Sequence, residues 1–89
     1  MSIDQKTAEE IAKGFVIARV KFFTQEEQTT VVLPQYDFTS VDSYKEGRDW
    51  AVSFHIEAVL GNISKGNDIS LKINSKGKVT EFNGQKVSP

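Results

Sequence analysis

From Trp50 to Leu60 the chain alternates without a break. Trp50, Val52, Phe54, Ile56, Ala58 and Leu60 share one side, while Ala51, Ser53, His55, Glu57 and Val59 share the other. A two-residue period with one strongly apolar side predicts a β-strand over about 49–60 that lies across a core and turns its mixed side to water. Residues 68–74 alternate again, with Ile69, Leu71 and Ile73 inward, and predict a second strand. The run Asn74-Ser75-Lys76-Gly77 is a tight turn in which Gly77 suits a positive φ, and it leads into a short strand over 78–82. Gly61 to Asn67, with two glycines, reads as a loop. Residues 29–40 are rich in β-branched and aromatic side chains and predict one more strand. Pro34 lies inside that run, and because proline cannot donate to a ladder, the strand belongs at a sheet edge or is broken there by a bulge. Lys45 to Asp49 reads as a turn, and the polar tail 83–89 is expected to fray.

The N-terminal quarter has a different period. Ala8, Ile11, Ala12, Phe15, Phe22 and Phe23 fall on one face at helical spacing, which predicts a helix over about 4–23. Thr7 with Glu10 three residues later makes a capping box, and Glu9 and Glu10 suit the positive end of the helix dipole. A competing reading ends the helix at Lys13, with Gly14 as its cap, and makes 15–23 a strand. Arg19 projects into the apolar face of the long helix. There it either snorkels to an edge or pairs with a carboxylate such as Glu57. One helix followed by strands on hairpin-length connections predicts a single α+β domain over 1–89, with the N-terminal helix packed on a three- to four-stranded antiparallel sheet.

Composition narrows the function classes. The chain has 89 residues and a formal charge of −1, from 11 basic and 12 acidic residues. Like charges form no long run, which argues against a nucleic-acid backbone binder and against a polybasic membrane-surface segment. The absence of cysteine removes disulfides, thiolate nucleophiles and cysteine-ligated metals. With no apolar run at the start and no cysteine staples, the expected compartment is the cytoplasm.

The single histidine, His55, is the natural candidate for proton chemistry, with Glu57 two residues on along the same strand side. One histidine without cysteine makes no evident transition-metal site, and no Ser–His–Asp set can be assembled, so neither a cofactor nor catalysis is expected. The candidate binding residues are therefore Tyr36, Tyr44 and Trp50, as aromatic recognition anchors, with His55, Glu57 and Arg19.

Trp50, Val52 and Phe54, followed by Ile69, Leu71, Ile73 and then Gly77, Lys78 and Val79, resemble the strand patterns of the PepSY and cystatin-like group of small domains. The resemblance covers residues 48–82, and a helix before the sheet is compatible with it. It implies a non-enzymatic binding or inhibitory module and carries no catalytic residue. The resulting expectation is a small protein-binding module of the inhibitor, immunity-type or accessory kind, acting through a sheet face or edge. Its partner is another protein or a second copy in a homodimer. The alternative is a small-ligand binder or minor enzyme with a pocket between helix and sheet.

Overall fold

The computed structural model describes residues 2–28 and 32–87. It consists of a helix α1 (Gln5–Arg19) followed by β1 (Gln35–Glu46), β2 (Asp49–Leu60), β3 (Ile63–Ile73), β4 (Val79–Phe82) and β5 (Gln85–Lys86). The strands form one antiparallel sheet in sequence order, with the helix against one face. The α+β class is as the sequence predicts, with five strands rather than three or four.

The central alternation works as read. Val52, Phe54, Ile56, Ala58 and Leu60 are buried on the helix side, opposite Ile69, Leu71 and Ile73 of β3. Ala8, Ala12 and Val16, one turn apart on α1, are fully buried against them. Two alanines in this row bring the helix axis close to the sheet. A helix of this length covers about 22 Å, whereas a twelve-residue strand spans about 40 Å. The remaining length is covered by the chain after the helix, where Phe23 packs on Ala58 and Leu60 and Phe22 meets Tyr36 in a tilted ring contact at 5.8 Å.

That second contact explains why α1 stops at Arg19 and not near residue 23. At Val20 the backbone turns extended, and the chain beyond it lays Phe22 against Tyr36 and Phe23 on Ala58 and Leu60. The competing reading fails as well, because Gly14 and Phe15 lie inside the helix. The N-cap is Asp4, whose carboxylate accepts from the Thr7 backbone N–H at 2.8 Å, so Glu9 and Glu10 fall beyond the first turn. The reciprocal capping box lies elsewhere. The Thr24 N–H donates to Glu27 and the Glu27 N–H to the Thr24 hydroxyl, and Lys65 of β3 ties Glu27 down at 2.7 Å.

β1 runs later than predicted. Of the expected strand 29–40, residues 29–31 lie outside the described residues, Pro34 precedes the strand, and pairing continues to Glu46. β1 is an edge strand, although Pro34 lies outside it, and its bulge is at Ser40 and Val41, which together face Phe54. Ser40 takes φ +53° there. The extra residue reverses the parity of the strand. Tyr36 and Phe38 face the helix before it, and Val41, Ser43 and Lys45 after it. Ser43 is thereby buried beneath α1, where its hydroxyl accepts from Gln5 at 2.8 Å and donates to Glu9.

The predicted loop 61–67 is a tight turn at Gly61, with φ +63°, and the first half of β3. Gly77 has φ +88°, as its turn requires. The tail is not wholly frayed: Asn83 and Gly84, both at positive φ, reverse the chain so that β5 pairs with β4.

Candidate functional site

The helix covers one face of the sheet. Strand alternation assigns the other face to Asp37, Asp42, Tyr44 and Glu46 of β1, Asp49, Ala51, Ser53, His55, Glu57 and Val59 of β2, Ser64, Gly66, Asp68, Ser70 and Lys72 of β3, and Glu81 of β4. The pairings stack these residues in rows across the strands: Tyr44 beside Ala51 beside Lys72 beside Glu81, then Asp42 beside Ser53 beside Ser70, then Thr39 beside His55 beside Asp68.

Two features stand out on this uncovered face. The first is a shallow depression of about 240 Å³ lined by Tyr44, Ala51, Ser53, Ser70, Lys72 and Glu81. Its floor is made of small side chains, and Tyr44, 57% exposed, stands at its side. An adjoining hollow shares Ser53 and Ser70 and continues to Ser40, His55 and Asp68, so the trough runs along the sheet. Lys72 is held by Glu46 at 3.0 Å and Glu81 at 3.4 Å, and both carboxylates raise the pKa of its ammonium.

The second feature is a chain of polar side chains centred on His55. Its Nε2 is 2.9 Å from Glu57 Oε1 and its Nδ1 is 2.8 Å from Asp68 Oδ1. The Ser64 hydroxyl donates to the other Glu57 oxygen at 3.0 Å. Only the doubly protonated imidazolium donates from both nitrogens, and the two hydrogen bonds, Glu57 first and Asp68 second, raise the His55 pKa above its ordinary value. The same contact with His55, together with Ser64, lowers the Glu57 pKa. Gly66 makes room for the cluster, since a Cβ there would lie 2.6 Å from Glu57 Oε1 and 3.2 Å from His55 Cε1. A glycine inside a strand marks such a close approach.

Chemically, this arrangement favours the protonated form of the imidazole, held between two carboxylates. Both imidazole nitrogens are engaged by carboxylates, and Ser64 bonds Glu57 instead of His55, so the imidazole is not paired with a hydroxyl nucleophile. Among the described residues, no group of three or more His, Asp or Glu side chains is placed to hold a metal ion.

Of the residues chosen from sequence, the structure brings Tyr44, His55 and Glu57 onto the uncovered face. Tyr36 and Trp50 are half-buried on the helix side, where Tyr36 packs on Phe22 and the Trp50 indole N–H donates to the Ile3 carbonyl at 3.3 Å. Arg19 is also on the helix side. It is exposed, with its guanidinium 5.3 Å from the centre of the Phe15 ring, so it snorkels and does not pair with Glu57. No single pocket between helix and sheet can therefore contain Arg19, His55 and Glu57 together. A separate groove of about 360 Å³ does run between α1 and the β3–β4 turn, lined by Ile11, Phe15, Arg19, Lys78, Val79 and Val87.

The chain matches no protein-family model, no curated protein and no solved structure.

Sequence reasoning missed Asp68, Ser70, Lys72 and Asp42 as members of this face. Asp68 and Ser70 were legible in principle from the alternation of 68–74, once β3 is laid antiparallel to β2. Asp42 was not, because its orientation depends on the bulge at Ser40. Among the described residues, no helix is long and apolar enough to cross a membrane.

Proposed function

We propose that this protein is a small binding module that engages another protein through the uncovered face of its sheet. The observation that carries this reading is the trough over Ala51, Ser53 and Ser70, flanked by the exposed Tyr44, on a face that no element among the described residues covers. Small floor residues admit a partner's side chains, and an exposed tyrosine supplies rigid amphipathic contact area of the kind enriched at interface anchors. The likeness of residues 48–82 to the PepSY and cystatin-like group is in keeping with a binding role. The occupied nitrogens of His55 favour binding over proton transfer.

The test is site-specific photo-cross-linking in the cell that makes the protein. A photoreactive residue at position 44 is expected to capture a discrete protein, while one at Ile17, exposed on the back of the helix, captures none. Equal capture from both positions, or none from position 44, would overturn the assignment of the face.

The groove lined by Ile11, Phe15, Val79 and Val87, with Arg19 and Lys78 at its rim, supports a second reading: a site for a small amphipathic anion. Protection of these residues by a medium-chain fatty acid in NMR spectra, with the opposite sheet face unaffected, would favour it.

A further inference from the structure

The acidic and basic residues of this nearly neutral chain are not evenly spread. The uncovered face carries Asp37, Asp42, Glu46, Asp49, Glu57, Asp68 and Glu81, seven of the twelve acidic residues, against Lys72 and Lys86 on the strands. Lys6, Lys13 and Arg19 on the helix, with Lys45 and Lys65 on inward register positions, lie on the other side. In two clusters carboxylates outnumber their basic partner and leave a surplus of negative charge: Glu46 and Glu81 share Lys72, and Glu57 and Asp68 share His55. On β1, Asp42 lies between these clusters and Asp37 beside Glu57, and neither makes an ion pair with any of the described residues.

Resting on the docking face proposed above, we infer that its occupant is an arginine-bearing segment of a partner protein, laid in extended form along the trough. Asp42 and Tyr44 are two residues apart on the same side of β1, about 6–7 Å between Cα atoms. That spacing suits one arginine. Its guanidinium stacks on the Tyr44 ring, as cations do on aromatic faces, and its planar N–H fork meets the Asp42 carboxylate. Beneath it, Ser53 and Ser70 leave space for the stem. From Ala51 to Glu57 the face runs about 20 Å, the reach of a six- or seven-residue extended segment whose alternate side chains point down. A second basic residue two or four positions along therefore arrives at the end where Asp37, Glu57 and Asp68 collect. The same charge repels phosphate backbones and anionic lipid surfaces. A second copy presenting its helix side would also satisfy the charge and is an outcome of the test.

The full chain is titrated with three fluorescein-labelled heptapeptides, with arginine, lysine or glutamate at alternate positions and serine between. Binding is read by anisotropy at low and at physiological salt, and the site by amide shifts in NMR spectra. The arginine peptide is expected to bind at least about tenfold more tightly than the glutamate peptide and more tightly than the lysine peptide, because only arginine both stacks and donates bidentately. Its shifts are expected at Tyr44, Ser53 and Ser70. Tyr44→Ala and Asp42→Asn are each expected to weaken it by about threefold to fivefold, while Ile17→Ala leaves it unchanged. The Trp50 fluorescence of each variant reports that it is folded. Equal binding of arginine and glutamate peptides, shifts confined to the helix side, or self-association as the sole event at this face would overturn the arginine assignment. If the cross-linker at position 44 still captures a foreign protein in that case, the docking face stands and only its partner chemistry falls. If the cross-linker captures nothing, the docking face falls too.

Discussion

Replacing Gly66 with alanine tests whether the His55 cluster is built as described. The added Cβ would lie 2.6 Å from Glu57 Oε1. A carbon–oxygen contact needs about 3.3 Å, so the carboxylate must retreat by about 0.7 Å. Retreat along the line of its 2.9 Å bond to His55 lengthens that bond, at most to about 3.6 Å, and weakens it. The backbone itself tolerates the change, because Gly66 is not at positive φ and the obstructing atoms are the end of a flexible side chain. The expected result is thus a local loss: the His55 pKa falls toward its ordinary 6.5, keeping the smaller lift from Asp68. His55 is the only histidine, so its ring-proton signal in NMR spectra gives the titration without assignment. The effect on stability has a definite sign. A raised histidine pKa stabilises the fold fully below 6.5, and that contribution is lost as the pH rises through the folded-state pKa. The wild-type urea midpoint is therefore expected to fall across that window, and the Gly66→Ala midpoint to fall less. An unchanged His55 titration in Gly66→Ala, or an equal pH slope for both proteins, would refute the geometry.

Two further substitutions probe the layers. Ile56 is fully buried, so Ile56→Ala is expected to cost about 2–5 kcal/mol, or upwards of about 10 °C in Tm, by calorimetry; Val59→Ala, three residues on but on the uncovered face, is expected to cost less than about 1 kcal/mol. Gly77→Ala forces a side chain onto φ +88° and brings its Cβ to 3.3 Å from Ile11 Cδ1, so a loss of about 1–2 kcal/mol is expected in urea unfolding.

How much of this was legible depends on how far each element obeys a single period. β2 does so over its whole length, with apolar side chains on one face and polar ones on most of the other, and its boundaries and buried side follow from the residues alone. β3 obeys it only in its second half. Ser64-Lys65-Gly66-Asn67 looks like a loop because a glycine was kept there for Glu57 and because this part of the strand has little to bury. The end of α1 was hidden because burial of Phe22 and Phe23 overrides a helical spacing that the same residues display. The Asn83-Gly84 turn carried the usual hairpin signal, but it stood next to a strand of only two polar residues. The site was less legible than the fold. Its histidine and one carboxylate share a strand, whereas Asp68, Ser70 and Asp42 join them only through cross-strand pairing.

The inserted residue at Ser40 has a consequence beyond the bend it makes. β1 is in effect read in two frames, odd positions outward before the bulge and even positions outward after it. Deleting one residue there would rejoin the frames and exchange the two sides of the strand's second half. Ser43 and its bonds to Gln5 and Glu9 would leave the space under the helix, and Tyr44 and Asp42 would be driven into it. A single position thus couples the tether that fastens the helix to the residues the opposite surface offers a visitor, and shortening the strand there would sacrifice both at once.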